Sequence, residues 1–439
     1  MGYVFPSDLA DEIRARWQSF AAHQAAPPLP APGLLRHVLE TAFFASFERE
    51  EGRAPRFVLC CAPDSRIPRD AEDGTVPVVP LEPSRPLSVE SIRALAPAVS
   101  PETAAMLVEC PRETTDADAC RITGLLLIGA HFARARNGRS FYHRSAPFAL
   151  TIDVRDAGEL HVYQGGIKLA AIKAGRLQDQ VAFSSLEFLP ITDILARGER
   201  ALAAQVTPPM YEPARESSDF EWTALLSTIL SVVNGVKEHD HGGMLLLVAP
   251  GAEATLPVRF KYDVGPDVRL LGARFVDFLN ARHAFADAEW RARVDPKAKA
   301  TINRMALSAL QSAALTAEVN LGDAADLVSR LSAVDGALVL GSDLRLIGFG
   351  AEIVLDASAH VTAYEAGGHW GFSGPRAAVD SQSFGMRHRS ALRCVSQSEG
   401  TAAFAVSQDG TVSFFWKLGH EVLLKRNVNT ANPSVVGGS

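Results

Sequence analysis

The stretch Thr207–Asp219, TPPMYEPARESSD, constrains this chain more than any other. Proline lacks a backbone N–H and pushes the preceding residue out of the helical region, so neither a helix nor a central strand runs through it. On either side lie long regions of periodic apolar residues. The chain is therefore expected to fold as two domains, each around its own core. An N-terminal α/β domain is expected over 1–208 and a second domain over 217–426. A flexible tail is expected over 427–439, where NVNTANPSVVGGS is polar and ends in glycines. With 439 residues, 47% of them hydrophobic, both domains are long enough to bury a core.

In the N-terminal region a short amphipathic helix near Asp8–His23 leads into a proline-rich connector, Ala25–Gly33, and a second helical pattern over Leu34–Glu48. Phe57–Cys61, Ile122–Ile128 and Phe148–Val154 read as strands, with Glu159–Tyr163 a hairpin partner after Asp156-Ala157-Gly158. Ile67–Pro86, rich in proline and acidic residues, reads as a long loop. Arg134, Arg136, Arg139, His143 and Arg144 cluster near Gly138. They fit either a solvated loop face or a pocket for an anionic ligand. The five cysteines form no CxxC pair and read as buried thiols in a reducing compartment.

The second region opens with Trp222–Asn234, whose apolar residues at 222, 225, 226, 229, 230 and 233 mark a buried helix face. Further helices are expected over Gly272–His283, Lys299–Ala317, Ala324–Ala333 and Ser390–Gln397. Strands are expected over Met244–Val248, Ala337–Leu340, Leu344–Phe349, Ala402–Val406 and Thr411–Trp416. The alternation predicts an α/β fold: a C-terminal domain with a central mixed sheet flanked by helices, preceded by an N-terminal α/β domain.

The formal charge of −7 argues against sequence-independent nucleic-acid binding, although a local basic patch can still hold phosphates. Apolar runs such as Gly124–Ala130 and Met244–Ala249 are too short to span a bilayer. The first ten residues carry Asp8 and no apolar core of a signal peptide. A soluble, cytoplasmic protein without a membrane partner is the expectation.

Three short elements carry chemistry. Asp335-Gly336-Ala337 precedes a buried strand, so a carboxylate stands beside two of the smallest residues, where a ligand can approach the backbone. Gly385-Met386-Arg387-His388-Arg389-Ser390 lies where a loop enters a helix, and helix N-termini attract anions while paired arginines offer bidentate phosphate contacts. Ser407-Gln408-Asp409-Gly410 is a hairpin tip with a hydroxyl and a carboxylate. Each alone is equally a plain turn or a solvated helix start. His239 and His241, beside Asp240, lack a fourth metal ligand and read as solvent-facing.

In that order the three elements resemble the diadenylate cyclase domain. The resemblance spans roughly Ser217 to Arg426 through LSAVDGALVL, GSDLRL, GMRHRSA and AFAVSQDGTVSFFWK, with HGGMLLLV upstream. It implies a nucleotidyltransferase that condenses two ATP into cyclic di-AMP and two pyrophosphates with Mg²⁺ or Mn²⁺. It implies that Asp335 binds the metal beside the attacking 3′-hydroxyl, with Asp409 as a second metal carboxylate. Arg387, His388 and Arg389 are implied to hold the triphosphate. Gly336, Ala337, Gly385, Ser390 and Ser407 are implied to line the substrate, with Ile353 or Val354 near the adenine. Because one site holds one ATP, a homodimer or higher even oligomer is implied. The N-terminal region resembles sensor domains found ahead of such cyclases, which implies regulation by a ligand. Met386 stands where the family has a threonine, the loop from Asp356 to Phe384 is long, and the tip lacks an acidic pair. These departures leave open a weak or inactive nucleotide-binding sensor or scaffold, or a cyclase with a different cyclic or linear product.

Overall fold

The computed structural model describes all residues except 1–3, 22–28, 50–51, 53, 63–76, 112–115, 129–148, 165–166, 174, 178–187, 189, 211–217, 239–241, 266–267, 295–303, 355–360, 367–375, 409, 429 and 431–439. The chain divides into two compact units, Met1–Val181 and Ala182–Ser439. Each contains a mixed sheet flanked by helices, which makes the fold mixed α/β.

The first unit has helices α1 (Pro6–Ala21), α2 (Pro32–Ala45) and α3 (Val89–Leu95). Its strands are β1 (Phe57–Ala62), β2 (Val78–Pro86), β3 (Ala104–Glu109), β4 (Arg121–Leu127), β5 (Leu150–Asp156), β6 (Glu159–Gln164), β7 (Ile167–Lys173) and β8 (Arg176–Leu177). Among the described residues they form one sheet in the order β2-β4-β3-β1-β5-β6-β7-β8, with β1 and β3 parallel. β1, FVLCCA, is buried along its whole length, as a strand covered on both faces must be. Phe57 and Leu59 face α1 and α2, whereas Val58 and Cys60 join Ala105 and Leu107 in a second cluster.

The second unit has helices α4 (Thr192–Ala203), α5 (Ser218–Glu238), α6 (Leu270–Val294), α7 (Arg304–Arg330) and α8 (Met386–Gln397). Its strands are β9 (Gly243–Val248), β10 (Val258–Arg259), β11 (Tyr262–Asp263), β12 (Ala337–Gly341), β13 (Leu346–Ile353), β14 (Ala363–Ala366), β15 (Arg376–Val379), β16 (Thr401–Val406), β17 (Val412–Leu418) and β18 (Glu421–Lys425). The order is β10-β13-β12-β9-β16-β17-β18-β14-β15, with β11 also on β13. β9 and β16, buried along their whole length, form the buried centre. Met244, Leu246 and Ala403 pack with Ala391 and Val395 of α8, and α5 packs against the same two strands.

Several expectations are corrected. The predicted boundary at 207–219 lies downstream of the division between the units, because α4 docks within the second unit: Ser342 Oγ donates to Ile194 O at 2.7 Å. Thr207 is likewise held there, its N–H donating to Asn280 Oδ1 at 2.7 Å. The loop predicted over Ile67–Pro86 contains β2, an edge strand, where proline costs no ladder bond. The long loop before α8 contains the β14–β15 hairpin. Within the tail expected over 427–439, Val428 and Thr430 are buried and Asn234 Nδ2 donates to Thr430 O at 2.7 Å, while residues 429 and 431–439 lie outside the described residues. Cys110 and Cys120 form a disulfide rather than remaining thiols. Glu109 pairs with Arg121 across β3–β4, so the next residue outward on each strand meets its counterpart. Cys60, Cys61 and Cys394 are free and buried, and burial pushes the Cys60 thiol up to about 12.

A first prediction follows from α4. A Cβ on Gly198 would lie 2.1 Å from Ser342 O, a backbone atom with nowhere to move. Gly198→Val should lift α4 off the β12–β13 turn, an overpacking cost of about 1–3 kcal/mol. Differential scanning calorimetry should record a fall in Tm of roughly 5–10 °C; an unchanged Tm would mean that the helix is not docked this closely.

Candidate functional site

The frame of the site is set by the register of three adjacent strands. Leu338 lies opposite Leu245 across the parallel pair β12–β9, and Gly243 lies opposite Val406 across the antiparallel pair β9–β16. The start of β12, the start of β9 and the end of β16 therefore share one end of the sheet. Strands lie about 4.8 Å apart, so the outer two are separated by about 10 Å. Asp335-Gly336 leads into β12, Gly242 into β9, and Ser407 leaves β16.

Gly336 has φ +127°, and a Cβ there would lie 2.4 Å from Gly350 C. Only glycine allows this crossing of two backbones. The turn leaves the Asp335 side chain fully exposed, at 102% of its reference area, while Ala337 is packed in the core with Met244 and Ala351. The Ala337 methyl thus faces inward and any ligand contact there is through backbone.

α8 begins at Gly385, whose extended backbone caps the helix without a side-chain hydrogen bond, and its first turn carries no acidic residue. The first N–H groups of a helix have no intrahelical acceptor and favour an anion. Arg387 is exposed and reaches back to the sheet: a Cβ on Gly242 would lie 2.9 Å from Arg387 Nη1, 2.6 Å from Val406 O and 3.1 Å from Ser407 C. Arg387 and Ser407 are thereby brought together. His388 points elsewhere. Its Nε2 lies 3.0 Å from Ser413 Oγ on β17, and its ring meets Phe415 edge-on at 5.8 Å and Phe384 at 5.9 Å. It fastens the helix start to the sheet. Arg389 and Ser390 are half-buried in the same turn, and the exposed Met386 offers no hydrogen bond.

Ser407 is half-buried, its N–H donating to Thr411 O at 2.9 Å and its carbonyl accepting from Gly410 N at 3.0 Å. Ile353 pairs with Val258, and the Val354 N–H already donates to Pro257 O at 2.8 Å, which removes it as a donor to a base. Asp409, the basic cluster from Arg134 to Arg144 with His143, and the group His239, Asp240 and His241 lie outside the described residues.

The β10–β11 connection brings charges that no motif marks. Lys261 Nζ donates to Asp335 O at 3.0 Å and lies 3.7 Å from Asp335 Oδ2 and 4.0 Å from Glu352 Oε1. Glu352 pairs with Arg259, and the hydrogen bond from that guanidinium holds the Glu352 carboxyl below its ordinary pKa. Arg259 and Lys261 alternate in VRFKYD at strand spacing, the one local signal that both face one side.

Among the described residues no group of three or more His, Cys, Asp or Glu is placed to cage a metal ion. An exposed lone carboxylate fits a hard cation such as Mg²⁺ or Mn²⁺ that keeps most of its shell as water and substrate phosphate. Asp335 would hold it.

Residues 24–127 match a family model described as "Probable sensor domain DACNV". No curated protein and no solved structure matches the chain. Among the described residues no helix is long and apolar enough to cross a membrane.

Proposed function

We propose that the chain is a diadenylate cyclase whose second unit carries the chemistry and whose N-terminal region adjusts it in response to a ligand. The observation that supports the reading is that Asp335-Gly336 and Ser407 lie at the same end of β12, β9 and β16, about 10 Å apart by strand spacing, with Arg387 reaching Gly242 between them. The sensor match over residues 24–127 supports it, since DACNV domains occur in diadenylate cyclases.

In this reading each ATP presents its 3′-hydroxyl to the α-phosphorus of the other. A new P–O bond forms between the 3′-oxygen and the α-phosphorus, the bond from that phosphorus to the oxygen bridging the β-phosphate breaks, pyrophosphate leaves and the hydroxyl proton passes to solvent. Two such steps close the ring. Asp335 would hold a Mg²⁺ or Mn²⁺ ion, which would supply charge neutralisation and lower the pKa of the attacking hydroxyl. Asp335 orients the attacking end. Arg387 and Arg389, with the first-turn N–H groups of α8, neutralise the departing pyrophosphate, the main demand of phosphoryl transfer. Ser407 donates to the terminal phosphates. His388 holds the helix start through Ser413 and acts as a positioning residue. Two such sites must face each other, which requires a second copy of the chain.

The test is incubation of the purified chain with ATP and Mn²⁺ followed by mass spectrometry of the products. Cyclic di-AMP is expected, and equimolar GTP should not enter the product. Binding of ATP without turnover under any divalent metal would replace the cyclase with a nucleotide sensor or scaffold.

A further inference from the structure

We propose that Lys261 is a positioning residue for Asp335 that withholds its carboxylate from divalent cations until a nucleotide arrives; the second half of this statement rests on the cyclase reading. Lys261 is fixed from both ends. Its Cβ lies 3.2 Å from where a Cβ on Gly350 would stand, and its own N–H donates to Gly350 O at 3.4 Å. Gly350 in turn lies directly beneath the Gly336 turn, so the lysine stem runs over the crossing and the ammonium ends on the Asp335 carbonyl at 3.0 Å. Among the described residues it is the one cation within 4.0 Å of the Asp335 carboxylate, and that carboxylate is otherwise surrounded by solvent.

A positive charge 3.7 Å from Oδ2 opposes a second cation at the same oxygen by Coulomb repulsion. It also holds the carbonyl, and hence the turn, whether or not the carboxylate is engaged. When a polyphosphate brings its own metal, the ammonium has two other anionic seats. One is Glu352, 4.0 Å away and already kept anionic by Arg259; the other is the phosphate chain itself. The carboxylate is then released to the metal while the lysine charge stays in the site. Arg387 approaches from β9 and β16 and Lys261 from β13, so a triphosphate across the sheet end would be flanked by cations on both sides.

The test is Mn²⁺ titration of the nucleotide-free full chain, followed by water-proton relaxation at low salt. Lys261→Met should tighten Mn²⁺ binding by about fivefold, and Lys261→Arg should keep the wild-type affinity. In an Asp335→Asn background the Lys261→Met change should have no effect. With a non-hydrolysable ATP analogue present, the gap between wild type and Lys261→Met should close. Circular dichroism establishes that each variant is folded. Equal Mn²⁺ affinities for wild type and Lys261→Met without nucleotide, or a difference that survives Asp335→Asn, would overturn the proposal. Failure of the wild-type chain to make a dinucleotide overturns the cyclase instead, and leaves the nucleotide-free Mn²⁺ comparison to decide whether lysine and metal compete.

Discussion

Asp335→Asn yields a folded protein with at least about a 10³-fold loss of dinucleotide synthesis, comparable to removing one preorganised charge-stabilising group from an active site. The substitution keeps shape and removes only the negative charge. Because the side chain is fully exposed, no core contact changes, and Tm should stay within about 2 °C of wild type. The expected pattern is specific: ATP binding measured without metal persists, whereas the metal-dependent gain in affinity disappears. Product within tenfold of wild type would remove Asp335 from the reaction and leave the site without its carboxylate. A Tm lowered by many degrees would assign the loss to folding and contradict the exposure of the turn. Lys261 makes the comparison sharper. Its hydrogen bond to the Asp335 carbonyl does not depend on the carboxylate, so the turn should keep its shape in the variant.

The buried strands were legible because their physics is local. The expected strands Phe57–Cys61, Met244–Val248 and Ala402–Val406 are continuous apolar runs of strand length, and all three lie in strands buried throughout. What was not legible depends on distant partners. The expected helix ends near His283 and Ala317 are not ends: α6 runs to Val294 and α7 is continuous from Arg304 to Arg330. In α6 the buried residues run only from Leu271 to His283, so its later turns lack the apolar stripe that signals a helix on a core. In α7 the helix continues through Glu318, Asn320, Gly322 and Asp323, polar and glycine positions that interrupt the apolar pattern although Glu318 and Gly322 are buried. The two helices pack on each other instead. β2 hides behind three prolines because an edge strand tolerates them, and the Cys110–Cys120 pair has no spacing signal until β3 and β4 are aligned.

The candidate site divides in the same way. Asp335, Arg387 and Ser407 stand in short motifs with the residue types that phosphate chemistry needs; sheet register brings the segments of Asp335 and Ser407 to one end, where Arg387 of α8 reaches Gly242. His388 shares the motif but is turned toward Ser413, a contact that only the placement of β17 against α8 creates. Lys261 carries no motif, and Gly242 stands in the HGGMLLLV stretch without a functional side chain. The first gains meaning from the Gly336–Gly350 crossing and the second from the reach of Arg387. A residue whose role is to meet another segment across the sheet leaves little trace in its own neighbourhood.

Arg387 supports the other large effect. Arg387 is exposed, yet its Nη1 lies against Gly242, which also borders the Ser407 backbone, so its charge is brought to the sheet end. Removing it should leave stability unchanged and reduce kcat/KM by about 10³-fold, the lower end of what an arginine contributes to phosphoryl transfer. If it acts on the departing pyrophosphate, kcat falls by more than KM rises, because the interaction is strongest when that charge has developed. Arg387→Lys should recover no more than about tenfold of the loss, since an ammonium on a flexible stem cannot make the bidentate contact. Arg393, further along α8 and away from its first turn, is the control: Arg393→Ala should stay within about threefold of wild type. Steady-state kinetics on the four proteins separates the cases. Full activity in Arg387→Ala would mean that the phosphates do not lie at the start of α8, and a lysine as good as arginine would reduce its role to non-directional charge.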